Sequence, residues 1–333
     1  MPGIIETHNL SKVYFGKIKA VDNLNIEIEE GEIYGLLGPN GAGKTTTINM
    51  LTTRISPTSG TALVAGHDIT RESMSVRRLI GVVPQDLTAD EDLTGRENMI
   101  MVSQFYDVPR ATANDRIARL LKLVDLEEAA NRYVRGYSGG MRKRLELILG
   151  LINDPKILFL DEPTLGLDVQ TRTQMWNYVR DIQEKLNVTI ILTSHYLEEI
   201  DALADRVSII DHGHVLVTGS PEDLKKSLKG DVITITFKDR EEVEVMKRFD
   251  GSSESSEIGV NSLRIKVPNA DEYLPKIINF ISENKLSTLK LTVQKPSLDE
   301  VFLEYTGRDI RAEDGGDVGD VRKMMMNMRR VRR

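Results

Sequence analysis

The sequence predicts an α/β protein: a parallel sheet covered by helices on both faces, followed by a smaller α+β unit. Three observations carry this. The runs Ile33–Leu37, Ile157–Leu160 and Val188–Leu192 lack polar alternation, as strands buried on both faces do. Segments with helical spacing separate them, the order expected of βαβ units. Past Lys229-Gly230 the pattern changes to alternating strands with two short helices.

Composition bounds the function classes. The 333 residues are 40% hydrophobic and 29% charged, which allows a substantial core and excludes wholesale disorder. Such a length suggests about two domains. Cysteine is absent, so disulfide scaffolds, thiolate metal sites and a thiol nucleophile are excluded. The first residues show no basic-then-apolar leader, and no apolar run approaches the roughly 20 residues of a membrane span. A soluble intracellular chain is therefore expected.

Net charge is −7, unevenly placed. Residues 306–333 hold eight Lys/Arg and five Asp/Glu, which leaves −10 for residues 1–305. An acidic body argues against a broad nucleic-acid face. The last twelve residues carry six basic groups, no acid, and Met324, Met325, Met326 and Met328. A disordered tail and a contact with anionic lipid or a partner both fit that composition.

The elements follow in order. Residues 4–37 read as strands: Leu24–Glu29 alternates, and Glu30-Gly31 turns into Ile33–Leu37. A Gly-rich loop and a helix to about Thr53 come next, then a short strand at 61–65 and Ile80–Val83, stopped by Pro84. Residues 92–152 read as helical, with spacing near 3.6 across Arg116–Val124. Ile157–Leu160 is followed by a helix near 169–186, the strand Val188–Leu192, a short helix at 196–204 and strands over 206–218. Beyond the boundary, Val232–Phe237, Leu263–Val267 and Ser287–Val293 read as strands. Glu241–Phe249 and Asp271–Asn284 read as helices, and Asp250–Ser256 as a loop.

Two motifs carry chemistry. Gly38-Pro39-Asn40-Gly41-Ala42-Gly43-Lys44-Thr45 fits G-x-x-x-x-G-K-[ST] between a buried strand and a helix. Its backbone N–H groups can wrap phosphates, Lys44 can reach the outer ones, and Thr45 offers a hydroxyl to Mg²⁺. The helix that follows aims its N-terminal dipole at the anion. Asp161-Glu162 ends the strand Ile157–Leu160, which is expected to neighbour the loop's own strand. Asp161 suits the metal shell, and Glu162 suits a general base for attacking water.

The combination resembles the ATP-binding cassette (ABC) ATPases, and three further segments carry the resemblance. Tyr137-Ser138-Gly139-Gly140-Met141 is similar to the family's signature, commonly L-S-G-G-Q; Ser138 also suits a helix N-cap. Pro163-Thr164-Leu165-Gly166-Leu167-Asp168 matches the D-loop, and His195, after Thr193-Ser194, matches the switch histidine. Gln85, after Val82-Val83-Pro84, fits the Q-loop that senses Mg²⁺. Tyr14 and Phe15 are both candidates to stack on adenine; their spacing to Ala20-Val21 permits either, and Tyr14 is the one expected. The Tyr137/Met141 variant and the ending Pro296–Gly307 resemble the daunorubicin-resistance, drug-export branch.

The resemblance implies an α/β P-loop NTPase cassette with a RecA-like core, an antiparallel β-subdomain and an α-helical signature subdomain, plus a small C-terminal α+β domain. The cassette would span 1–229, with its helical subdomain about 86–152. The extension would span 230–306, and a basic Met-rich tail 307–333. It implies ATP and Mg²⁺ as cofactors. Glu162, His195, Lys44 and Gln85 would be catalytic, and Thr45, Gln85 and Asp161 would hold metal. Nucleotide would meet Tyr14, Gly38 to Thr46 (Thr46 included), Ser138, Gly139, Gly140 and Asp168. It further implies a head-to-tail homodimer, a separate membrane permease contacted near Asp86–Asn98, and a peripheral place on the cytoplasmic face of the membrane. The competing class is a soluble ABC ATPase acting on nucleic acid or ribosomes. Its usual long coiled-coil insert and its usual second cassette are both missing here. A P-loop kinase or GTPase is disfavoured by Ser138–Met141 and His195.

Overall fold

The computed structural model describes residues 3–228, 230–249, 254–258 and 260–306. The basic tail over 307–333 and Asp250–Ser253 of the expected loop lie outside them. The chain divides into a unit that ends at Pro221 and a second that begins at Glu222.

The first unit is built on a six-stranded sheet. Its spatial order is His214–Gly219, Arg206–Asp211, Ile33–Leu37, Thr189–Ser194, Ile157–Asp161, Ile80–Val83. Five strands are parallel, as their unbroken apolar runs predict. The sixth, His214–Gly219, returns antiparallel on Arg206–Asp211. His212 and Gly213 join that pair with φ of 46° and 81°, the paired left-handed geometry of a tight hairpin turn. One expectation is corrected. The Asp161 strand does not neighbour the P-loop strand; Thr189–Ser194 lies between them. The parallel crossovers placed the strand leading to His195 at the centre of the site, which no local pattern could show.

A smaller sheet is antiparallel throughout: Ile18–Leu24, Ile5–Tyr14, Ser59–Val64 and His67–Asp68, with Glu27–Ile28 also on Ile5–Tyr14. Its inward residues Ile5, Leu10, Val21, Leu24 and Ile28 share one core with Ile48, Met50 and Leu51 of the helix Lys44–Leu51. Tyr34, Phe159 and Ile191 of the parallel sheet join the same core. The P-loop helix is thereby fixed between two sheets.

Residues 92–152 are not one helical stretch. Helices run Gly95–Phe105, Arg110–Leu123 and Gly139–Leu149. Thr94 and Glu97 close a reciprocal capping box at the first start. Asp107 and Asp125, at φ of 54° and 52°, turn the chain after the first two, a conformation that Asp tolerates better than most residues. Tyr137 is buried, and its Oη donates to the Ala129 carbonyl at 2.7 Å. A Cβ at position 95 would lie 2.4 Å from that oxygen. The tyrosine that replaces leucine ahead of the signature is thus accommodated by a glycine 42 positions earlier.

The second unit is a four-stranded antiparallel sheet in the order Glu254–Ile258, Ser262–Val267, Asp231–Phe237, Thr288–Gln294. Ile233, Ile235 and Phe237 point to one face, where Val243, Met246 and Ile277 cover them. The expected loop at Asp250–Ser256 is corrected in its last part, since Glu254–Ile258 is an edge strand. Its sequence, Glu-Ser-Ser-Glu-Ile, has no apolar alternation. Its structure comes from backbone pairing with one neighbour rather than from its own side chains. Four further elements among the described residues had no strong periodic signal: Ser73–Leu79, His67–Asp68, Pro221–Ser227 and the last helix, Leu298–Thr306. Among the described residues no helix is long and apolar enough to cross a membrane.

Candidate functional site

Strand Ile33–Leu37 is buried along its whole length and delivers the chain into the loop 38–43. Gly38, Pro39, Ala42 and Gly43 are buried, while Asn40 and Gly41 form an exposed crest. Gly43 begins the helix Lys44–Leu51 at φ 108°, and a Cβ there would sit 2.4 Å from the Ala20 carbonyl oxygen. Only glycine fits that position. No side chain caps this helix, so its first N–H groups remain available to an anion. Lys44 is buried and folds back, its Nζ donating to the carbonyls of Gly38 at 2.6 Å and Pro39 at 3.1 Å. Thr45 stands exposed at the helix start, and Thr46, next along, is half-buried.

Asp161 ends its strand beside this loop. Its Oδ1 accepts from Thr45 Oγ1 at 3.2 Å and from Thr193 Oγ1 at 2.6 Å. The Thr193 hydroxyl in turn accepts from the Glu162 backbone N–H at 3.0 Å. Glu162 has φ 52°, a left-handed conformation uncommon for a residue with a side chain and a mark of functional positioning. Its Oε1 lies 4.0 Å from Lys44 Nζ, and its Oε2 lies 3.3 Å from His195 Nδ1. The histidine nitrogen is buried and makes no hydrogen bond, so the two groups lie close without being bonded. Burial raises the Glu162 pKa. The His195 contact and the charges of His195, Lys44 and Lys143 outweigh that burial and hold the carboxyl below its ordinary range.

Five residues foreseen from sequence therefore converge here: Lys44, Thr45, Asp161, Glu162 and His195. The signature does not join them. Ser138 caps the helix Gly139–Leu149, accepting from the Met141 N–H at 3.3 Å. With Gly139 and Gly140 it lines a separate cavity of about 270 Å³, shared with Gly166, Asp168 and Thr171. No P-loop residue lines that cavity. Asp168 caps its own helix, Val169–Leu186, and its carboxylate accepts from the Thr171 N–H at 2.9 Å and hydroxyl at 2.7 Å. Gln85 is exposed, and its backbone carbonyl accepts from Lys143 Nζ at 3.3 Å. Tyr14 is half-buried, with the Lys12 ammonium 5.4 Å from its ring centre. Phe15 stands out at 81% exposure.

Sequence reasoning missed two positioning groups. Thr193 read only as part of the link between the strand Val188–Leu192 and His195, although a hydroxyl just past a buried strand was the available signal. Glu146, buried on the signature helix, accepts from Thr88 N–H, Thr88 Oγ1 and Ala89 N–H, each at 2.7 Å. An acid interrupting Leu145–Leu149 was its signal. Together with the Lys143–Gln85 bond and an Arg142–Glu91 ion pair, it ties the signature helix to residues 85–91.

Comparison with known proteins adds the family. Residues 21–165 match the family described as ABC transporter, and residues 219–306 match ATP-binding protein DrrA1-3-like, C-terminal domain. The daunorubicin/doxorubicin resistance ATP-binding protein of Streptomyces peucetius is 41% identical over 91% of this chain and 92% of its own. The chain belongs to the ABC transporter ATP-binding proteins. The doxorubicin resistance ATP-binding protein of Mycobacterium tuberculosis is 37% identical over 87% of this chain and 89% of its own. A dimeric ATP-binding cassette solved in a post-hydrolysis state with ADP and Pi is similar at TM-score 0.59 and 27% identity, over 65% of this chain and 98% of that one. This ABC ATPase thus carries both the cassette and the C-terminal domain of the drug-resistance branch, and it binds and hydrolyses ATP.

The Glu146 clamp can be measured. Glu146→Ala leaves two backbone donors and a hydroxyl without their acceptor, and stability is expected to fall by about 1–3 kcal/mol. Urea unfolding should show a lower midpoint at unchanged slope, with a smaller loss for Glu146→Gln.

Proposed function

We propose that MgATP sits on the P-loop of one protomer, is closed over by the signature of a second, and powers a separate membrane permease that exports drug-like compounds. The observation that carries this reading is the convergence of Lys44, Asp161, Glu162 and His195 at the carboxyl ends of parallel strands, with the signature in a different cavity of the same chain. One chain then holds two halves of different sites, and a head-to-tail pair of copies completes both. The dimeric, post-hydrolysis form of the structural neighbour supports that arrangement. The resistance names of the curated relatives support export, and the second domain, matched to the same branch, supports it further.

Thr45 and Asp161 present a hydroxyl and a carboxylate oxygen 3.2 Å apart. That oxygen-only donor set suits Mg²⁺, which usually keeps few protein ligands and takes the rest from phosphate and water. Thr45, Asp161 and, from the Q-loop, Gln85 would hold it, and it would supply charge neutralisation for the phosphates. Glu162, held ionised, accepts the proton of the attacking water. His195 orients that water against the γ-phosphate. Lys44 and the helix N-terminus stabilise the charge that develops on the transferred group. Ser138, Gly139 and Gly140 bring the second helix N-terminus from the partner copy, with Asp168 holding the loop beside them. Adenine stacks on the hairpin ring that is free to receive it; exposure favours Phe15 over Tyr14, which Lys12 already flanks. The permease docks along Asp86–Asn98 and holds the dimer peripherally on the cytoplasmic face of the membrane.

Glu162→Gln is expected to retain ATP binding while turnover falls by about 10²–10⁴, and to accumulate an ATP-bound dimer on size exclusion. Unchanged turnover would remove Glu162 from the role. For the base, Phe15→Ala should raise KM for ATP more than Tyr14→Ala does; the reverse order would return the stacking role to Tyr14.

A further inference from the structure

Behind the hydrolysis site lies a buried carboxyl with no role so far. Glu199, on the helix Leu197–Leu203, is completely shielded from solvent. Its Oε1 accepts from the indole Nε1 of Trp176 at 3.1 Å, and Trp176 belongs to the helix that Asp168 caps. Its Oε2 is buried without a hydrogen-bond partner, and so is Thr164 Oγ1. Burial raises the Glu199 pKa, and the nearby hydroxyls of Ser194 and Thr164, the Trp176 indole and the Arg172 charge only partly offset this. Burial at this position therefore works against the charged form of the carboxyl.

The positions of these neighbours give the group its meaning. Thr164 is two residues after Glu162, Ser194 immediately precedes His195, and Trp176 lies on the D-loop helix. Ser194 is itself fixed by Tyr196, whose N–H donates to Ser194 Oγ at 2.9 Å. Tyr196 carries the Arg172 guanidinium 4.0 Å from its ring centre, and its ring centre lies 4.0 Å from that of His195, with the planes tilted by 41°. Three segments that each bear a hydrolysis or partner-facing group thus meet around one side chain.

We propose that Glu199 is a positioning residue that locks the His195 loop, the loop after Glu162 and the D-loop helix into one unit, so that closure of the partner copy on the D-loop sets His195 and Glu162 for hydrolysis. This rests on the assignment of Glu162 and His195 above. Trp176 is the sole tryptophan of the chain, so its fluorescence reports on this contact directly.

The test compares full-length Glu199→Ala, Glu199→Gln and Trp176→Phe with the parent chain. ATPase kcat and KM, MgATP binding, thermal stability and, where Trp176 remains, tryptophan emission are measured. Glu199→Ala is expected to lose about 10- to 100-fold in kcat, the scale of a displaced catalytic geometry, with KM for ATP nearly unchanged and a shifted emission maximum. Glu199→Gln keeps the shape and the indole acceptor, so kcat and emission should stay near those of the parent. Trp176→Phe should fall between them. A kcat for folded Glu199→Ala within twofold of the parent, even with lowered thermal stability, would show a merely structural role and overturn the proposal. So would a Glu199→Gln as impaired in kcat as Glu199→Ala. A parent chain that binds MgATP but whose turnover is indifferent to Glu162→Gln would instead fail the assignment of the site itself.

Discussion

The hydroxyl of Thr193 is the interaction on which the site depends. It donates to Asp161 and accepts from the Glu162 backbone, and it stands on the strand between the P-loop strand and the Asp161 strand. The parallel register places Leu37 beside Ser194 and Asp161 beside Thr193. Three strands therefore end at one level, and the hydroxyl spans the gap between the Asp161 carboxylate and the left-handed turn at Glu162. A valine in that place would keep the strand and leave a buried carboxylate oxygen and an amide less well satisfied.

From that fixed floor, the rest of the chain concerns what reaches it. Lys44 and His195 approach Glu162 from two sides and keep its carboxyl ionised, whereas Glu199, deeper and with fewer charges near it, is pushed the other way. Two glutamates some 37 positions apart thus have their pKa values moved in opposite directions by their surroundings alone. The signature, by contrast, is built away from the floor. Glu146, Lys143 and Arg142 bind its helix to residues 85–91, so a movement of the signature carries the Q-loop segment with it. That linkage joins the signature helix to the segment proposed above to receive the permease.

Legibility in the sequence followed the range of the interaction. The P-loop, the Asp161-Glu162 pair and Ser138-Gly139-Gly140 are short and chain-local, with residue types dictated by phosphate and helix-cap geometry. The core strands were legible because burial on two faces removes polar alternation. Thr193, Glu146 and Glu199 were not, because each acquires its role from partners distant in sequence. The order of the strands was hidden for the same reason, and with it the central place of Thr189–Ser194. Glu254–Ile258 escaped because an edge strand needs only backbone pairing. Tyr137 looked like a departure from the signature, and its meaning required Gly95, which only packing reveals.

In the proposed head-to-tail pair, each chain carries two unlike halves of a catalytic site and the second copy completes each. Mixing two defective chains tests it most directly: Lys44→Ala, which lacks a working P-loop, and Ser138→Arg, which lacks a working signature. Each alone should be inactive in steady-state ATP hydrolysis. The equimolar mixture should recover a clear fraction of parental turnover, because a mixed pair contains one intact composite site. A mixture as inactive as its components, with mixed dimers shown to form, would contradict the account.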